Sequence, residues 1–135
     1  MVPKQVRDAI FAQAAFCSPE ECCGLLAGAT AAVVDFVYPL TNAEASPVAY
    51  TIDPYEHYRA FKHAEASGWD LIGAFHSHPQ GPDHPSPTDL RLAAEPDWTY
   101  LIVSGKSLRG YRIRSATYTE VRLVDEGQDT ATGRQ

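Results

Sequence analysis

At 135 residues, 44% hydrophobic and 21% charged, the chain reads as one soluble globular domain, long enough to bury a core without disulfides. A formal net charge of −6 and an isoelectric point near 5.2 argue against non-specific nucleic-acid binding. No apolar run reaches the length of a membrane span. The opening residues MVPKQVRDAIFAQ lack the apolar core of a signal peptide, so the expected location is cytoplasmic.

Pro3 to Phe16 predicts a helix, with Val6, Ile10, Ala14 and Cys17 at three- and four-residue steps and Pro3 suited to its start. Ser18-Pro19 stops it. Glu20 and Glu21 then lead into an apolar strand ending at Gly28, and Gly28 to Ala31 turns the chain. Ala32 to Leu40 is dense enough in apolar residues for a covered strand. Thr41 to Pro47 is turn-like, and Val48 to Ile52 predicts a short strand. Asp53-Pro54 opens a second helix that runs to Ser67-Gly68. Its Tyr55, Tyr58 and Phe61, with the following Trp69, read as core or subunit-contact residues. His57 and His63 read as surface or packing residues.

Trp69 to His76 predicts a central strand, Pro87 to Ala94 a third helix, and Thr99 to Ser104 a strand that can lie beside the central one. Leu108 to Arg114 and Tyr118 to Val124 alternate as half-exposed antiparallel strands do. Asp125 to Gln135 is rich in Gly, Thr and charge, and reads as a fraying tail after a domain spanning residues 1–124. The expectation is an α/β domain: a single mixed, curved sheet of about six strands with about three helices.

Cys17, Cys22 and Cys23 are the three cysteines. Their odd number and their crowding into one short stretch speak for reduced, packed thiols rather than a disulfide framework. Without a neighbouring positive charge, none is poised as a nucleophile.

Chemistry gathers in residues 71–90, LIGAFHSHPQGPDHPSPTDL. In an extended chain side chains alternate, so His76 and His78 share a face. Asp89, eleven residues after His78, closes a three-ligand set if the loop folds back. Three N/O ligands leave one of zinc's four positions for water, the pattern of a catalytic site. Ser86-Pro87-Thr88-Asp89 is also a good helix start whatever its function, and it would put Asp89 on the first turn. Zinc-assisted hydrolysis needs a proton carrier as well. Glu20 and Glu21 both stand where a strand begins, and the chemistry alone does not choose between them or exclude two solvated strand-entry charges.

Glu21-Cys22-Cys23-Gly24-Leu25-Leu26, His76-Ser77-His78-Pro79 and Ser86-Pro87-Thr88-Asp89 together resemble the JAMM/MPN-plus zinc metallopeptidases, and the likeness extends from the first helix to about Val124. The resemblance implies a cytidine-deaminase-like JAMM/MPN fold and one zinc per chain, held by His76, His78 and Asp89. It assigns Glu21 as general acid/base and Ser86 as the oxyanion donor, a role typically worth ~2.7–4 kcal/mol. It implies hydrolysis of a peptide or isopeptide bond after the C-terminal Gly-Gly of a ubiquitin-like or sulfur-carrier protein. The chain looks like the compact bacterial branch. LTNAEASP (40–47) and LAAEPDWTYLIVS (92–104) resemble the member that releases cysteine from a carrier.

The carrier tail is expected to lie extended in a groove flanked by residues 40–52 and the proline-rich loop 79–86, where His84 is a loop histidine, a spare ligand or a substrate contact. A homodimer is compatible with this reading, and the alternative is a non-catalytic scaffold of the same fold.

Overall fold

The computed structural model describes residues 1–124, so the tail expected over 125–135 lies outside the described residues. Three helices, α1 (Lys4–Cys17), α2 (Pro54–Ala66) and α3 (Pro87–Leu92), accompany six strands. The strands are β1 (Cys23–Gly28), β2 (Phe36–Leu40), β3 (Asp70–Ser77), β4 (Thr99–Ser104), β5 (Ser107–Arg114) and β6 (Thr117–Val121). They form one mixed sheet in the order β2-β1-β3-β4-β5-β6. β3 and β4 are parallel, joined through α3, and the other neighbouring pairs are antiparallel.

Strand periodicity divides the core in two. Leu26, Phe75, Leu101 and Val103 face α1 and pack with its Val6 and Ile10. Leu25, Ala74, Ile102 and Ile113 face the other way, toward Ala60 and Ala64 of α2. β1, β3 and β4 are therefore covered on both faces, and β3 carries its last residues into the protein interior.

Four expectations are corrected. Val48 to Ile52 is not a sheet strand; it meets the rest of the chain through an isolated Asn42–Ile52 bridge. The Asn42 side chain supplements that bridge: its Nδ2 donates to Ala49 O (2.9 Å) and its Oδ1 accepts from Thr51 N (3.1 Å). The second strand starts at Phe36 rather than Ala32, because a Thr30–Val33 bridge turns the chain first, and it is an edge strand with Phe36 and Pro39 exposed. Tyr55, Tyr58 and Phe61, expected as core or subunit-contact residues, are not core: they lie at 67%, 57% and 46% exposure. The small Ala60 and Ala64 bring α2 down on the sheet and leave these aromatics on its outer side, whereas Trp69 does pack on the core. α3 ends at Leu92, two residues before the expected Ala94.

Candidate metal centre

His76 stands near the end of β3, paired with Cys23 of β1 and Ile102 of β4, and His78 follows one residue past the strand. Flanking strands bury both rings, at 2% and 7% exposure. The loop 79–86 then returns the chain to the first turn of α3. There Ser86 is the N-cap: its Oγ accepts from Asp89 N (3.1 Å), and Asp89 Oδ2 accepts from Ser86 N (2.9 Å). This reciprocal cap aims the carboxylate inward. The same Oδ2 lies 3.1 Å from His76 Nε2 and 3.0 Å from His78 Nε2, and the two ring nitrogens are 3.0 Å apart.

Proton placement decides what this cluster can hold. His78 Nδ1 is 2.6 Å from Pro82 O, and a carbonyl can only accept, so the ring donates there and in its neutral form turns a lone pair at Nε2 toward His76 and Asp89. Burial drives the His76 imidazole below its ordinary pKa and keeps it neutral. Burial alone would raise the Asp89 pKa, but hydrogen bonds with His76 and His78, and with the Ser86 backbone, hold the carboxyl well below the usual range. One proton can bridge Asp89 to His76; the remaining lone pairs converge without one. A divalent cation suits such a donor set. Zinc bonds nitrogen and oxygen at ~2.0–2.2 Å, which three donors this close accommodate. Among the described residues these three form the group of His, Cys, Asp or Glu able to hold a metal ion.

Of the two acids that chemistry alone left open, Glu20 is exposed and Glu21, the one the resemblance assigns, is buried at 5% exposure. Glu21 Oε1 has no hydrogen-bond partner among the described residues. Burial pushes its carboxyl up to about 7; the charges of Asp89 and Glu44 add to this and that of His78 opposes it. The backbone here is stitched in place. Glu21 N donates to Ser46 O (2.8 Å), Asn42 Nδ2 donates to Glu21 O (3.1 Å), and Cys22 N donates to Ser77 Oγ (2.8 Å).

Sequence reasoning placed Asn42 and Tyr50 in the 40–52 segment without a role for either side chain, and gave Ser77 no role of its own. Ser77 was visible as the polar residue between two histidines, which strand alternation turns to the opposite face. The Tyr50 ring stacks on His76 at 4.5 Å, a contact that its place in the expected groove segment did not specify. His84 is not part of the cluster; it stacks on Tyr118 at 6.4 Å. Cys17, Cys22 and Cys23 are free, and burial pushes the Cys22 and Cys23 thiols to about 11 and 12, which leaves them inert as nucleophiles.

A cavity of about 340 Å³ opens beside His76 and Asp89, with residues 48–52 on one side, Leu92 and Trp98 on another, and Ile102 and Ile113 at its base. Thr88 and Asp89 line it from α3, whereas the loop 79–86 does not.

Comparison with known proteins identifies the family. Residues 3–118 match the family described as prokaryotic homologs of the JAB domain. The chain is 42% identical to the desampylase of Haloferax volcanii over 88 residues, covering 64% of this chain and 63% of that protein's length. It is 36% identical to the CysO-cysteine peptidase of Mycobacterium tuberculosis over 116 residues, 80% of each chain. The solution structure of protein DSY2949 from Desulfitobacterium hafniense superposes with a TM-score of 0.84 at 34% identity, over 93% of both chains.

Proposed function

The chain belongs to the prokaryotic JAB-domain family, and on that premise we propose that it is a zinc-dependent metallopeptidase acting on a peptide or isopeptide bond after the C-terminal Gly-Gly of a ubiquitin-like or sulfur-carrier protein. One observation carries the reading: His76, His78 and Asp89 aim three donor atoms at one point, near the buried Glu21, whose Oε1 has no hydrogen-bond partner among the described residues. The names of two relatives, a desampylase and a CysO-cysteine peptidase, support the substrate class. The likeness to the latter supports cysteine as a leaving group. No helix among the described residues is long and apolar enough to cross a membrane, and free, packed thiols fit a reducing compartment such as the cytoplasm.

In this mechanism His76, His78 and Asp89 hold one zinc ion. When bound, the ion supplies an activated water and polarises the scissile carbonyl. Glu21, with a carboxyl near 7, accepts the water's proton and returns it to the departing amine. The Ser86 hydroxyl accepts from Asp89 N and so keeps its own proton to donate to the developing oxyanion. Tyr50 backs His76 and excludes water from that side of the ring. The substrate tail lies extended against residues 42–50, with the apolar cavity beside His76 and Asp89 taking one of its side chains.

Incubating the protein with carrier–cysteine and carrier–peptide adducts tests this reading. Release of the intact carrier by the native chain, and not by Glu21→Gln with zinc still bound, is the expected result. A native chain that binds zinc and cleaves neither adduct contradicts the substrate class. One that never carries zinc is a scaffold.

A further inference from the structure

The loop that returns Asp89 to the histidines is tied to the sheet beside it at three residues, Gly81, Asp83 and His84. Ser104 Oγ donates to Gly81 O (2.8 Å). Ser107 Oγ and Arg109 Nε both donate to Asp83 Oδ2, at 2.6 and 2.8 Å, and the Tyr111 hydroxyl donates to Asp83 O. His84 stacks on Tyr118 at an interplanar angle of 3°. Arg109 is fixed in turn by Glu120, to which its Nη1 donates at 2.8 Å. Pro82, between the tethered Gly81 and Asp83, presents the carbonyl that accepts the His78 Nδ1 proton.

We infer that Asp83, gripped by Ser107 and Arg109, is a positioning residue of the metal centre: it fixes the Pro82 carbonyl and thereby selects the His78 tautomer that offers Nε2 as a ligand. The inference rests on the metal-site reading above. A histidine ligand is set by the hydrogen bond its other nitrogen makes, and losing that partner typically costs ~10–100-fold in metal affinity. The role is separable from a merely stabilising one. Asp83 and Arg109 have side chains 33% and 47% exposed, and an exposed ion pair contributes little to global stability. The hydrogen bonds from Ser107 and Arg109 also hold the Asp83 carboxyl below its ordinary pKa, so it grips its partners as an anion across the neutral range.

The test uses Asp83→Ala, with Arg109→Ala on the exposed hairpin as a second variant should the first fail to fold. Zinc affinity is read by chelator competition, the His78 tautomer by ¹⁵N NMR of the metal-free protein, and folding by thermal melting. The expected result is zinc binding weakened by ~10–100-fold, His78 ring signals moving from the Nδ1–H form toward a tautomer mixture, and little change in melting temperature. Asp83→Asn, which keeps an acceptor oxygen, should recover part of both losses. Native-like zinc affinity with an unchanged His78 tautomer overturns the inference, as does a loss of affinity that only follows a fall in melting temperature. A native chain that binds no zinc would sink the metal reading instead, and the tautomer in metal-free protein still decides the role of Asp83.

Discussion

Glu21 is a carboxyl raised from its ordinary 4.5 to about 7 chiefly by burial, and that shift has a signed consequence for stability. Between those two values the folded chain binds more protons than the unfolded one, so metal-free protein loses stability as pH rises through that window. At ~1.4 kcal/mol per unit, the rise from 4.5 to about 7 amounts to about 3 kcal/mol at most above pH 7. Glu21→Gln should therefore be more stable than the native chain at pH 8, with the gap closing toward pH 4.5, as chemical denaturation of metal-free samples can check. The same substitution should lower turnover by ~10²–10⁴-fold. Ser86→Ala should lower turnover by ~10²–10³-fold while zinc stays bound, because the Ser86 backbone N–H still donates to Asp89. Spacing brought His76, His78 and Asp89 into view in the sequence because a strand and a capped helix have fixed side-chain directions. Chemistry alone left Glu21 one of two candidates and the family resemblance chose it; only the fold shows which of two adjacent acids is enclosed.

At the level of elements, β1 and β3 must lie close together where Glu21 meets the histidines, and two small residues make that contact. A Cβ on Gly24 would stand 2.2 Å from the Phe75 ring and 2.2 Å from Tyr38 O. Gly24→Ala should thus cost ~1–3 kcal/mol or more through overpacking, seen as a lower melting temperature. The glycine in the Glu-x-x-Gly-Leu-Leu stretch is accordingly a packing residue. Ser77 is the second: its Oγ accepts from Cys22 N, and Ser77→Ala would leave that buried N–H unpaired at a cost of ~1–3 kcal/mol. Strong periodicity made α1, β3, β4 and β5 legible in advance. Residues 48–52 misled because their alternation resembles a strand, while their pairing stops at one backbone bridge, Asn42–Ile52, supplemented by bonds from the Asn42 side chain. The α2 aromatics misled for a related reason: helical spacing marks a face, but the two alanines at the sheet decide which face goes in.

On the scale of the whole molecule, the sheet brings β1, the end of β3, the first turn of α3 and the 42–50 segment to one place, from four separate parts of the chain. Substitutions at Val48 or Tyr50, which line the cavity beside the cluster, should weaken carrier binding without loss of zinc; unchanged binding would remove that segment from the substrate groove. The β4–β5–β6 edge contributes no donor atom but holds the loop that aims one, so the site depends on the sheet well beyond its ligands. Everything rests on a cation held by His76, His78 and Asp89. The direct measurement is anomalous X-ray scattering at the zinc edge from native crystals, alongside elemental analysis of native and Asp89→Ala protein. The account predicts one zinc peak per chain within bonding distance of His76 Nε2, His78 Nε2 and Asp89 Oδ2, lost in Asp89→Ala. A native chain without metal, or with its metal bound elsewhere, would contradict it.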